Sequence, residues 1–166
     1  MTPETLVLLF GFMLPFVAWL WSATNNFEDK ILSLYLTNAD AANVGDATGL
    51  RGSTTAGVVW ISLSTGTLTD TSDQATTEAT YTGYGRVSVA RSTAGWTVTS
   101  GVGDNDAAIT FGACTAGSST VTYFGLGFNQ TTAGSLDLWG ALTASLAVTA
   151  GVTPSFAIGA LDVTLD

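Results

Sequence analysis

The chain has 166 residues, of which 46% are hydrophobic and only 10% are charged, and its formal net charge is −9. This length suits one domain with an appendage, while the excess of acids argues against binding nucleic acid or an anionic membrane surface. The sequence contains no histidine, which removes the commonest general base and metal ligand. The single cysteine, Cys114, excludes an internal disulfide and is expected to pack as a small buried hydrophobic side chain.

The N-terminal part of the chain contains an uncharged apolar run, LVLLFGFMLPFVAWLW, at residues 6–21. A helix over residues 3–24 would be about 33 Å long, enough to cross a bilayer. A secretory signal peptide has basic residues before its apolar run, and here that position contains none. Three interpretations stay open for residues 1–24: an anchor helix or arm buried in a protein assembly, membrane insertion through residues 5–24, and a removed leader. The candidate anchor residues are Leu6, Leu9, Phe10, Phe12, Leu14, Phe16, Trp19 and Trp21.

The next segment, residues 25–36, has the pattern of a short amphipathic helix. Asparagines precede two acids in its first turn, and Phe27, Ile31, Leu34 and Tyr35 fall on one face. We predict that this face packs across one end or edge of a sheet, and we add Phe27, Ile31 and Leu34 to the candidate assembly residues. Residues 25–57 therefore comprise this helix and a connector rich in Gly, Ala and Asp.

From residue 58 onward the sequence consists of short β-prone runs in a background rich in Thr, Gly and Ser. Breaks that contain Gly, Asn or Asp separate most runs at spacings of about 8–12 residues, which is typical of sandwiches and barrels. We predict a mainly β protein whose residues 58–166 form an antiparallel β-sandwich, jelly-roll or Ig-like, with polar loops at 66–82 and 129–135 facing outward. The predicted strands are 58–64, 86–90, 96–100, 107–111, 121–128, 136–139, 142–149 and 161–165.

The charged residues offer little for catalysis or metal binding. A pair of carboxylates for glycoside cleavage would have to come from residues that mostly lie beside Gly, Thr or Asn, as in solvated turns: Asp70, Asp73, Glu78, Asp104, Asp106, Asp137 and Asp162. The GDND sequence at 103–106 has the spacing of a calcium-loop fragment, but no later acid completes the frame. Arg86 and Arg91 are expected to pair with acids at a sheet edge or subunit contact. We predict no enzymatic activity and no cofactor, and we leave calcium binding near Asp104 open.

Residues 27–166 resemble a family of small tailed-phage structural proteins, often labelled tail-fibre or minor structural proteins. The resemblance depends on the order of short motifs along the chain. These are the helix at 27–36, the strand at 58–64, YGRV at 84–87, TVTYFG at 120–125, a polar Gly hairpin at 129–135, WGALT at 139–143 and GALDVTLD at 159–166. The segment before residue 27 departs from the family pattern, in which the helix starts close to the first methionine.

The resemblance implies a virion structural protein whose partners are other virion proteins, either major capsid or tail subunits. We predict a capsid decoration or cement protein that is attached through its hydrophobic N-terminus. The alternatives are a tail-fibre or receptor-binding module, or a membrane-anchored surface spike. We further expect a homo-oligomer with no nucleic-acid partner, and favour a trimer because trimers fit both capsid three-fold positions and tail-fibre axes.

Overall fold

The computed structural model describes residues 23–45 and 48–165. The eight residues predicted to form the anchor, from Leu6 to Trp21, lie outside this part of the chain. The described residues form helix α1 (Asn25–Leu32), a π-helical turn (Ser33–Thr37) and nine strands: β1 (Val58–Ser64), β2 (Val87–Ala90), β3 (Trp96–Thr99), β4 (Val102–Asn105), β5 (Ile109–Thr110), β6 (Ser119–Gly127), β7 (Leu138–Val148), β8 (Ser155–Phe156) and β9 (Asp162–Thr164). Paired strands are antiparallel throughout, so the predicted mainly β, antiparallel class is confirmed.

The strands of the described residues form three sheets around one core. The main sheet has the order β2-β1-β6-β7, a second sheet has the order β3-β4-β9, and β5 pairs with β8. Opposed inward-facing pairs such as Ile61 with Leu126 belong to the same buried cluster as Trp96 and Val163 of the second sheet. This arrangement is consistent with a β-sandwich.

Strand β7 corrects one prediction from the sequence. The runs at 136–139 and 142–149 were expected to be separate strands, but a single strand crosses the Gly140-Ala141 break. The irregularity lies in the pairing instead, because Tyr123 of β6 is opposite Ala141 whereas Val121 is opposite Leu146. The surplus residues of β7 bulge out of the ladder, which preserves the strand on both sides.

Strands β4 and β8 were not predicted. The sequence of β4, VGDN, contains three residues with low strand propensity, yet β3 and β9 pair with it on both sides. Leu36 lies directly over Gly103 of this strand, where any Cβ atom would clash with the leucine side chain. Tertiary packing therefore determines the conformation of a segment that reads locally as a turn.

Helix α1 begins after Thr24, whose side chain accepts a hydrogen bond from the Phe27 amide. The prediction of its apolar face is wrong. Leu32 and Leu36 are fully buried, whereas Phe27, which was expected to face the sheet, is 47% exposed. Ile31 and Leu34 are only half-buried. Leu32 and Leu36 are four residues apart and therefore lie on one side of the helical segment, which differs from the side predicted from Phe27 and Ile31.

Most residues of the polar loop at 129–135 are exposed, as predicted, but the loop at 66–82 does not simply face outward. Leu68, Gln74, Ala79 and Tyr81, all within residues 66–82, are buried. This loop folds back over the outer side of the main sheet. There Gly127 leaves no room for a Cβ atom beneath the Gln74 side chain. The outer face of the sheet is thus partly covered by the protein's own loops.

Candidate assembly site

The Arg86 side chain, which precedes β2, is buried and fully paired, with 2% of its surface exposed. Its guanidinium donates two hydrogen bonds to the Glu78 carboxylate, at 2.7 and 2.8 Å. It donates two more to the carbonyl oxygens of Asn129 and Thr132, at 2.7 and 2.8 Å. The hydrogen bond to Glu78 raises the pKa of Arg86 further. The predicted pairing of Arg86 with an acid is confirmed, and its bidentate geometry offsets the cost of removing both charges from water.

Two further side chains, those of Gln74 and Tyr84, complete the Arg86 cluster. This cluster consists of Gln74, Glu78, Tyr84, Arg86 and the loop at 129–132. The Tyr84 hydroxyl donates to Glu78 at 2.7 Å and accepts from the Leu63 amide at 3.0 Å. Burial raises the pKa of Tyr84 above its ordinary value. Gln74 accepts from the Asn129 amide and donates to a carbonyl of β1. The donors and acceptors of the cluster are directed at one another, as in a structural tie between both polar loops and β1.

Arg91, which follows β2, does not pair with an acid, contrary to the prediction. Its guanidinium donates to the carbonyl oxygens of Leu34 and Tyr35, both at 2.6 Å, and to that of Ala56 at 2.9 Å. It also lies 5.4 Å from the centre of the Phe128 ring. Carbonyl groups at the end of a helix carry partial negative charge and lack partners within the helix. These carbonyl groups therefore bind the guanidinium in place of the predicted carboxylate. Through them Arg91 fixes the end of the helical segment to the main sheet.

The candidate acids mostly serve local structure. Asp73 accepts from the Thr76 hydroxyl at 2.8 Å, and Asp106 accepts from the Thr97 hydroxyl at 2.8 Å. Asp137 accepts from the Tyr35 hydroxyl at 3.1 Å. The structure does not bring these carboxylates together into a common site.

Asp104 and Asp162 are the exception, since they lie opposite each other on β4 and β9. Desolvation, together with the hydrogen bond and the charge of Asp162, raises the pKa of Asp104. Between Asp104 and Asp106, the buried Asn105 amide donates to two carbonyls, and its oxygen accepts from the Leu161 amide. The GDND segment is thus a paired strand held by its asparagine, and the described residues contain no group of three or more side chains that could hold a metal ion.

An open groove lies beside β7, between the main sheet and strands β8 and β9. We call it the β7 groove; its volume is about 550 Å³. Large apolar side chains line it, among them Phe111, Phe124, Leu142, Leu146, Phe156 and Val163. A smaller apolar pocket of about 180 Å³, which includes Ile31 and Leu165, adjoins it at Leu138. Polar side chains, among them Thr143 and Asp162, also border the groove.

Three sequence predictions remain, which concern Cys114, the membrane segment and the helix residues assigned to assembly. Cys114 is buried, as expected. In the described part of the chain no helix is both long enough and apolar enough to cross a membrane, and the candidate membrane segment lies almost entirely outside that part. The roles of Phe27, Ile31 and Leu34 in assembly stay predictions; Ile31 borders the smaller pocket, and Phe27 is exposed.

Comparison with known families identifies the group to which the chain belongs. A family model described as "Podophage GP4 fiber I protein gp80" matches residues 22–164. The chain belongs to this family. The match covers α1, the nine strands of the described residues, Arg86, Arg91 and the β7 groove. No curated protein matches the sequence.

Membership of the podophage fibre I family confirms the resemblance to tailed-phage structural proteins. The chain is a structural component of the virion, located at the tail surface. The family description supports the fibre alternative better than the capsid decoration protein that the sequence analysis preferred. Short common motifs identified the family, but they carried no information about position in the particle.

The β7 groove and the loop partners of Arg86 were not predicted from the sequence. One signal for the groove was present, because residues 138–148 form the sequence LWGALTASLAV without a charge. Its position at the edge of the sheet depends on strand order, which the pattern does not show. The partners Asn129 and Thr132 contribute main-chain carbonyls, so no side-chain motif could have revealed them.

Proposed function

We propose that the chain is a non-enzymatic structural subunit of a podophage tail fibre. The observation that carries this proposal is the family match over residues 22–164. The local roles of the described acids support it, since most of the candidate carboxylates accept hydrogen bonds from neighbouring side chains rather than converging on a cleft. A role as a capsid decoration protein has no comparable support.

Attachment to the particle is proposed to use the N-terminal segment, residues 6–21. An uncharged run of this length would form a larger apolar surface than soluble monomers tolerate. We therefore propose that another virion protein, such as a tail subunit, covers it in the mature particle. The folded module at residues 23–165 then projects from the attachment point. The proposed assembly is a homotrimer.

Deletion of the gene from the phage separates a fibre protein from a capsid protein. Loss of a fibre subunit is expected to give filled heads of normal heat stability that adsorb poorly to host cells. Loss of a decoration protein gives the reverse pattern, fragile heads with normal adsorption. A gold-labelled tag fused after Asp166 provides a second measurement, and labels distributed over the capsid would contradict the proposal.

Deletion of residues 1–24 tests the attachment. The truncated chain is expected to be soluble and rich in β-structure by circular dichroism, yet absent from purified virions. The full chain with the same tag is the control. Normal incorporation of the truncated chain would show that the N-terminal segment is not the anchor.

The non-enzymatic role is tested with host surface polysaccharide. Incubation with the purified chain is expected to leave the size distribution of the polysaccharide unchanged in gel filtration. Depolymerisation that persists in separately purified batches would contradict this part of the proposal.

A further inference from the structure

The outer edge of β7 is an unprotected strand edge. β7 is the last strand of the main sheet, and no other strand of the described chain pairs with its outer side. It is 11 residues long and contains neither a charged residue nor a proline. Trp139 is 40% exposed and Leu146 is 37% exposed. Monomeric proteins usually protect long edges by charge, proline or short length, because such edges otherwise pair with another chain.

The opposite edge of the same sheet, strand β2, is protected against pairing with another chain. β2 has only four residues and is flanked by Arg86 and Arg91. Both arginines tie this edge to loops and to the helical segment through several hydrogen bonds. The contrast indicates that β7 is covered by something outside the described chain.

The β7 groove enlarges the surface that this edge offers. A cavity of roughly 150 Å³ accommodates a benzene-sized group, so about 550 Å³ is enough for three or four large side chains. Phe124, Leu142 and Phe156 line it with apolar surface. A partner that lies along β7 can therefore insert side chains between the two sheets as well as contact the strand.

Charge and the extent of the family match indicate which partner this is. With a net charge of −9, two copies of this chain repel each other over most of their surfaces. The strand β7 itself contains no charged residue, and Asp162 is the one acid among the described residues that lines the groove beside it, so the repulsion is expected to be smallest along this strand. The family model covers β7 and both walls of the groove but begins at residue 22. Residues 6–21 lie outside the matched segment, so we look for the occupant within the folded module of a second copy.

We propose that β7 and the β7 groove form the surface through which copies of this chain associate, with Trp139 and Leu146 buried against the neighbouring copy. The inference takes its partner, a second copy, from the homo-oligomer of the proposed function. It does not depend on where the oligomer sits in the virion, so the two proposals can fail separately.

The test uses the full chain in mild non-ionic detergent and the variant Ala144→Lys, since Ala144 is exposed on β7. Ala90→Lys is the matched control, because Ala90 is exposed on β2 at the opposite edge of the same sheet. Sedimentation velocity is expected to give an oligomer, with three chains the expected number, for the wild type and Ala90→Lys. Ala144→Lys is expected to weaken association by at least about tenfold with an unchanged circular-dichroism spectrum.

Three sedimentation results would overturn the proposal: a monomeric wild type, an Ala144→Lys variant with the wild-type mass, and equal weakening by both lysines.

Photo-crosslinking from benzoylphenylalanine at Thr143, also exposed on β7, identifies the occupant directly. Cross-links to β7 or the groove of a second chain support the proposal. Cross-links to residues 6–21, or to no residue of a second chain, would overturn it. If Ala144→Lys dissociates the oligomer while tagged protein labels the capsid, the interface stands and the fibre assignment fails.

Discussion

The two edges of the main sheet are finished in opposite ways. The β2 edge lies between two arginines that hold it to the polar loops and to the end of the helical segment. The β7 edge is longer, uncharged and open to the groove. The chain has only four basic residues, and two of them connect the β2 edge to other parts of the same chain. The β7 edge has no such contacts in the described part of the chain, and we propose that a neighbouring copy covers it.

This comparison leads to different expectations for substitutions on the two sides. Around β2, buried charges satisfy one another, so removing one partner is costly. Around β7 and β9, some groups lack partners or face like charges, so removing them is expected to stabilise the isolated chain. Each of the following predictions is measured by urea denaturation of the full chain in mild detergent, from the largest expected effect to the smallest.

The largest effect is expected for Glu78→Ala. The substitution leaves the buried Arg86 guanidinium without its carboxylate, and breaking a buried pair in this way costs roughly 3–5 kcal/mol. Asp40→Ala is the control, because it breaks the Arg51–Asp40 ion pair, whose side chains are 67% and 47% exposed, and exposed pairs contribute little. Similar losses for both variants would mean that the Arg86 cluster does not close this side of the sheet.

Arg91→Ala is expected to reduce the free energy of unfolding by about 2 kcal/mol, because hydrogen bonds from a charged donor to three main-chain carbonyls are lost. The damage should be local. Amide hydrogen exchange of residues 25–37 is expected to accelerate more than exchange of β1. Arg91→Lys keeps the charge and should lose only part of the protection. Unchanged exchange in α1 would contradict the role assigned to Arg91.

Thr122→Val is expected to stabilise the isolated chain by about 1 kcal/mol. Thr122 lies in the irregular stretch of β6 opposite β7, and its hydroxyl is buried without a hydrogen-bond partner in the described structure. Valine has a similar shape and removes the unsatisfied group. Thr120→Val is the control, since Thr120 is exposed on the same strand, and it should change stability little. A loss of stability for Thr122→Val would show that the hydroxyl has a partner in solution.

The smallest effect is expected for Asp162→Asn, which removes one of two like charges opposite each other on β4 and β9. The expected gain in neutral buffer is about 0.2–1 kcal/mol. Because the pKa of Asp104 is raised in the fold, the folded chain retains this proton at pH values where the unfolded chain has lost it. The pair therefore destabilises the fold increasingly as the pH rises through that interval. The gain should disappear in strongly acidic buffer, and an equal gain at both pH values would exclude repulsion as its cause.

Local pattern was sufficient for part of this architecture. The bounds of β1 agree with the prediction because its alternating residues are β-branched or apolar on the inward side. β4 could not be predicted from VGDN, since neighbouring strands determine its conformation. The buried side of the helical segment, with Leu32 and Leu36, differs from the predicted face, because packing against the core selects it. These errors occur where tertiary contacts override local preference.

The candidate site shows the same division. The scarcity of basic residues correctly predicted that Arg86 pairs with an acid, but the pairing of Arg91 with helix carbonyls was beyond a pattern of side chains. The absence of charge in residues 138–148 is visible in the sequence. That this run forms the outer strand, beside a groove, follows only from the order of the strands.

The spacing of the Arg86 contacts along the chain also has a consequence for folding kinetics. The guanidinium bonds to carbonyls 43 and 46 residues further on. Because the entropy of loop closure must be met before such long-range contacts are gained, we expect them to form late in folding. Contacts absent from the transition state act mainly on the unfolding rate. We therefore expect the buried arginine to slow unfolding more than it speeds folding, a property suited to a particle that persists outside its host.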